Sequence, residues 1–88
     1  MPATAFESWI AFRKPNAQAR LRLFCFPYVG AGASIFRSWP EGLPADVEVC
    51  PVQYPGRGTR PNETPFTQLA PLVAALAHAL APLLDKPF

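Results

Sequence analysis

No apolar run in this 88-residue chain approaches the ~18 residues that a helix needs to cross a bilayer, so no segment reads as a membrane span. Basic residues do not gather either. Eight Lys and Arg against six Asp and Glu leave a net charge of +2, scattered along the chain, which gives no argument for a nucleic-acid partner. The N-terminus, "MPATAFESWIAFRKP", carries an acid at Glu7 and lacks a long apolar core, so it does not read as a secretory signal. The cytoplasm is the expected location. Cysteine is scarce: Cys25 and Cys50 each fall inside an apparent strand, without the close spacing of a redox or zinc pair. They read as reduced core residues, and no metal is expected. Charge totals 16% while half the residues are hydrophobic, a globular composition.

Proline is abundant, with twelve residues that cut the chain into short elements. Phe6 to Phe12, containing Trp9 and Ile10, is an apolar patch that reads as a short strand or as a helical turn. Pro15 and Asn16 mark a turn. Arg20 to Pro27 alternates Leu21, Leu23, Cys25 and Pro27 with Arg20, Arg22, Phe24 and Phe26. It starts amphipathic and ends apolar on both faces, as a strand does on entering a sheet covered on both sides. Gly30 to Ser34 is a loop of small residues. Ser34 is the expected cap of a short helix with Ile35, Phe36 and Trp39, stopped early by Pro40. Asp46 to Tyr54 reads as a second strand. Pro51 cannot donate to a ladder, so it places that strand at a sheet edge or a bulge. Pro55 to Pro65 is a loop. Phe66 to Leu84 is the clearest helix: Phe66, Leu69, Leu72, Val73, Leu76, Leu80, Leu83 and Leu84 share a stripe at helical spacing. Thr64 or Thr67 is the expected N-cap, Pro71 suits the first turn, and Pro82 kinks or ends the helix. His78 lies off the stripe and is expected in solvent.

Strand, helix, strand, long helix predicts a parallel α/β sheet. Such a sheet needs a crossover and cover on both faces, which two or three strands and one long helix do not complete. Residues 1–88 therefore read as the N-terminal portion of a single larger α/β domain, with no second domain. Phe88 reads as the start of another strand. Alone, the chain is expected to expose the leucine stripe and open sheet edges.

Three readings compete for "FPYVGAGAS". A dinucleotide loop is suggested by Gly30-x-Gly32, but Ile35 stands at the third glycine position and the second strand ends in Gln53-Tyr54 without an acid for a ribose. A P-loop fails because no G-K-[ST] is present. A structural turn needs only glycine's permissive backbone. An oxyanion-hole loop needs small residues, so that an acyl group can approach the main chain, and amides not consumed in a sheet. The loop meets both demands, as many loops do.

The run Leu23 to Arg60, "LFCFPYVGAGASIFRSWPEGLPADVEVCPVQYPGRGTR", resembles the front of the type II thioesterases. These are the stand-alone α/β-hydrolase partners of polyketide synthases and nonribosomal peptide synthetases. Phe26-Pro27-Tyr28, Phe36 to Trp39 and Gln53 to Arg57 stand at corresponding places, and "LAPLLDKPF" resembles the segment before the family's nucleophile strand. The resemblance implies the N-terminal part of an α/β-hydrolase fold: an incomplete, mostly parallel sheet with flanking helices. It implies hydrolysis of acyl thioesters on the phosphopantetheine of an acyl or peptidyl carrier protein in antibiotic biosynthesis, with no metal or redox cofactor; charge and hydropathy already argue against nucleic acid and membrane as partners. Val29 matches the family's oxyanion-hole amide, with Tyr28 as the adjacent alternative. Val29 stands where Ala is common and would narrow the acyl entrance. Ala31 separates glycines that are usually paired, and Tyr54 replaces a common Leu. No G-x-S-x-G occurs; Ser8, Ser34 and Ser38 lie outside any nucleophile elbow, and His78 sits on the long helix. The nucleophile, acid and base are thus expected beyond Phe88, and the chain alone is expected to be inactive. Arg57 reads as a loop residue tied to a neighbour, or as a contact for a carrier-protein phosphate. The alternative to an enzyme is a split or degenerate hydrolase module that binds a partner through its leucine stripe.

Overall fold

Alternation of Leu21, Leu23 and Cys25, and of Val47 and Val49, is realised in two five-residue strands, β1 (Leu21–Cys25) and β2 (Val47–Pro51). The computed structural model describes residues 8–28, 30–56, 58, 60 and 62–88. The strands run parallel, with Leu21 opposite Val47 and Cys25 opposite Pro51. The crossover a parallel pair requires carries two short 3₁₀ turns, Ala33–Phe36 and Trp39–Gly42, in place of the expected helix. Pro40 has no N–H to give the Phe36 carbonyl, which breaks any single α-helix through this stretch. Ser34 does not cap the first turn. Gly32 occupies the cap position, and the Ala33 N–H is met from another loop, by Gln53 Oε1 at 3.0 Å.

Side chains sort onto the two faces of the sheet with the strand period of two. Cys25 and Val49 pack with Phe36 on one face. Cys50 and Val52 face the other way and join Trp9, Ile10, Leu80 and Leu83. The helix α1 (Leu69–Leu80) covers that second face. It starts after Gln68 rather than at a threonine cap, so neither Thr64 nor Thr67 holds its first turn. Pro71 is its third residue, where a missing N–H leaves no helical bond unmade. At Leu80 the chain tightens into a 3₁₀ turn, Ala81–Leu83, that contains Pro82. The leucine stripe is half covered. Leu80 and Leu83 are buried, but Leu69 remains 74% exposed and lines, with Phe26 and Phe88, an open apolar groove of about 600 Å³. His78 is exposed, as its position off the stripe predicts.

Pro51 leaves the ladder between β1 and β2 intact. The Val52 N–H donates to the Cys25 carbonyl at 2.8 Å, so the N–H that Pro51 lacks would point away from β1. Along that outer edge runs the described part of the N-terminal patch. Ala11 N–H donates to Pro51 O at 3.0 Å, Gln53 N–H donates to Trp9 O at 2.7 Å, and Ile10 bridges Val52 antiparallel.

A buried charge cluster joins the second residue of each strand. Arg22 stands opposite Glu48 in register, and the Glu48 carboxylate accepts from Arg13 Nε at 2.9 Å and the Asn16 N–H at 3.1 Å. Arg22 Nε lies 3.6 Å from Glu48, and its guanidinium donates to Leu83 O at 2.9 Å and pairs with Asp85. The Arg22 N–H, on the free edge of β1, donates to Pro87 O at 2.9 Å. The chain after α1 is thereby laid along β1, although Pro87 and Phe88 form no strand in this structure.

Both thiols are buried in this framework. Burial, reinforced by the neighbouring Glu48 charge, pushes Cys50 up to about 12, and burial raises Cys25 as well. A thiol titrating at about 12 is ionised to only about one part in ten thousand at pH 8. Native protein is therefore expected to resist iodoacetamide at both positions and to label fully in urea, read by mass spectrometry. Rapid native labelling would contradict this packing.

Candidate functional site

β1 releases the chain at Cys25, and Pro27 is still buried, so the loop that follows starts from a fixed point at the C-terminal end of the parallel pair. Ala31 N–H donates to Tyr28 O at 3.0 Å, closing a four-residue turn whose third residue, Gly30, has φ +87°. A side chain there would be strained, which accounts for the glycine. Val29, the first expected oxyanion donor, lies outside the described residues, as does Arg57. Tyr28, the second, is 71% exposed, and among the described residues neither its N–H nor that of Gly30 has a hydrogen-bond partner. The amides of Ala31, Ala33 and Ile35 are consumed, by Tyr28 O, Gln53 Oε1 and Gly32 O respectively. Among the described residues, the loop thus leaves the Tyr28 and Gly30 amides without a partner and pairs those of its trailing end.

The trailing end is held by residues that follow β2. Gln53 is fully buried; its Nε2 reaches Tyr54 O at 3.4 Å, and its own carbonyl accepts from Arg60 Nη1 at 3.2 Å. Arg60 forks onto Glu63 at 2.6 and 2.7 Å and lies over the Trp9 ring, 4.5 Å from its centre. The hydrogen bond from Arg60 holds the Glu63 carboxyl below its usual range. Between the two strand-end loops opens a cavity of about 320 Å³, walled by Tyr28, Gly30 and Ala31 on one side and by Tyr54, Pro65 and Phe66 on the other. Burial raises the Tyr54 phenol, so it stays a neutral hydroxyl at physiological pH.

Ser34 and Ser38 are not set up as nucleophiles. Ser34 and Ser38 line a polar cleft with Arg37 and Glu41, and among the described residues no hydrogen bond joins either to His78. Among the described residues no group of His, Cys, Asp and Glu could hold a metal, and no helix is long and apolar enough to cross a membrane. Gln53 and Arg60 were not singled out by sequence reasoning. The one signal was their place in and beside the Gln53 to Arg57 run.

Residues 21–88 match the family described as the thioesterase domain. The chain belongs to the thioesterase family. Among its relatives, the gramicidin S biosynthesis protein GrsT of Aneurinibacillus migulanus is 44% identical over 93% of this chain and 32% of GrsT. The solved structure of RedJ, a thioesterase from the prodiginine biosynthetic pathway in Streptomyces coelicolor, is 50% identical. It superposes with a TM-score of 0.72 over 77% of this chain and 25% of RedJ. The type II thioesterase BorB from the borrelidin biosynthetic cluster superposes at 0.64 with 32% identity, over 88% of this chain and 30% of BorB. This thioesterase chain therefore spans about a third of the curated relative's length, in its N-terminal portion. Its β1, crossover, β2 and α1 form the corresponding part of an α/β-hydrolase fold.

Proposed function

We propose that the protein hydrolyses acyl thioesters held on the phosphopantetheine arm of an acyl or peptidyl carrier protein, in polyketide or nonribosomal peptide biosynthesis and in the cytoplasm. The observation that carries this reading is the loop after β1. Among the described residues, the Tyr28 and Gly30 amides at its leading end have no hydrogen-bond partner, its trailing end is fixed, and a cavity opens beside it. Attack on a thioester carbonyl places negative charge on the carbonyl oxygen, and preset N–H donors at ~2.7–3.1 Å stabilise it. Val29 supplies the first donor, with Tyr28 as the alternative. A serine attacks, a histidine moves its proton and an acid orients the histidine. Those three groups come from outside these 88 residues, which supply the oxyanion side of the site and are inactive alone. The biosynthetic settings of GrsT, RedJ and BorB support the pathway class.

The intact gene product, incubated with acyl-pantetheine thioesters, is expected to release free thiol; the absence of release across short and medium acyl chains would overturn the assignment. Val29→Pro removes one amide donor. It is expected to lower kcat about a hundred- to a thousandfold, the usual effect of losing one oxyanion donor. An unchanged kcat would move the role to Tyr28.

A further inference from the structure

We propose that Gln53 is a positioning residue for the oxyanion loop: its buried carboxamide accepts the Ala33 N–H and so sets the direction in which the loop presents its free amides. This rests on the thioesterase reading above. The carboxamide is fully enclosed, and burying it without partners would be costly. Its one short bond, Oε1 to Ala33 N at 3.0 Å, crosses from the chain after β2 to the loop after β1. Ala33 is itself fully buried at the start of a 3₁₀ turn, where the N–H has no partner within the turn. An apolar side chain of similar volume would fill the space and leave that N–H orphaned. The amide's orientation follows from its partners, since only Oε1 can accept from Ala33 while Nε2 faces the Tyr54 carbonyl.

Two glycines leave the space that the carboxamide occupies. A Cβ added at Gly32 would lie 3.3 Å from Oε1, and one added at Gly58, where φ is +47°, would lie 2.9 Å from Cδ and 3.1 Å from Nε2. Its main chain is fixed too, by Trp9 O on one side and Arg60 on the other. The loop is therefore tied to a fully enclosed polar group, five residues after the Tyr28 turn begins. Misplacing donors by about 1 Å is enough to cost about a hundredfold in rate. The loss falls on kcat, because the oxyanion exists only in the transition state.

The test uses the intact gene product and acyl-pantetheine thioester hydrolysis, with amide hydrogen exchange at Ala33 as a second readout. Gln53→Met, which keeps volume and removes the acceptor, is expected to lower kcat about ten- to a hundredfold with KM little changed, and to release Ala33 to fast exchange. Gln53→Glu restores an acceptor and is expected to recover part of the loss. Gly58→Ala leaves Gln53 present but displaces its carboxamide, and serves if Gln53→Met does not fold; the same kcat-specific loss is expected. Wild-type kcat in a folded variant with an unprotected Ala33 amide would overturn the proposal while leaving the enzyme assignment intact. A wild-type protein without thioesterase activity would overturn both.

Discussion

Glu48→Ala is expected to lower stability in urea unfolding by about 3–5 kcal/mol, the usual consequence of removing one partner from a buried ion pair. Glu48 is 2% exposed, and its carboxylate answers Arg13, the Asn16 N–H and the Cys50 thiol, with Arg22 Nε at 3.6 Å. Without it, two guanidinium groups face each other around an empty acceptor site, and a backbone N–H loses its partner. Small domains hold only about 5–15 kcal/mol in all, so the variant is expected to be largely unfolded in mild urea. Glu48→Gln keeps shape and one acceptor and should lose less. The same carboxylate sets an acid limit. Burial pulls its pKa up, but the Arg13 hydrogen bond, the Asn16 N–H, the Arg13 charge and the Cys50 thiol together outweigh burial and hold it below its usual range. A depressed carboxyl stabilises the fold above the unfolded pKa of about 4.3 and loses that contribution as pH falls through the folded value. Stability should therefore be level above about pH 5 and decline below it, with a flatter acid limb in Glu48→Gln. A Glu48→Ala protein with wild-type urea midpoint would mean that the cluster contributes nothing.

That cluster also shows where local pattern runs out. The alternation of Leu21, Leu23 and Cys25 was enough to place β1, and the spacing of Leu72, Leu76, Leu80 and Leu83 was enough to place α1. Both depend on neighbours within one element. Arg22 read as part of an amphipathic strand start, yet it is buried. Its burial is decided by Glu48 across the ladder and by Leu83 and Asp85 some sixty positions away. Such pairing is invisible to a period of two. Helix ends failed for a related reason. Thr64 and Thr67 have good capping chemistry, but α1 starts at Leu69 with Gln68 in the cap position and no side-chain cap hydrogen bond. In the site, the small-residue loop was legible as a turn after β1, because glycine and alanine there are a local signal. The clamp that holds it was not. Gln53 and Ala33 lie 20 positions apart and meet only because the parallel register brings both strand ends to the same side.

Trp9→Ala should be about as damaging, at about 3–5 kcal/mol in thermal or chemical unfolding, since it empties the largest side chain from the core between β2 and α1. Trp9 is 8% exposed, packs with Ile10, Val52 and Leu80, and meets the Phe66 ring at 6.2 Å. Its loss also reaches the site. The indole is the surface on which Arg60 rests at 4.5 Å, and Arg60 braces the Gln53 carbonyl and Glu63 from that seat. A desolvated cation–π contact of this kind contributes about 1–2 kcal/mol. Trp9→Phe keeps an aromatic face and should recover more than half of the stability. A double-mutant cycle of Trp9→Ala with Arg60→Met isolates the contact, because the two side chains touch directly. Coupling near zero would show that Glu63 and the Gln53 carbonyl hold Arg60 without help from the indole. Coupling of about 1 kcal/mol would tie the core under α1 to the residues that fix the loop after β1.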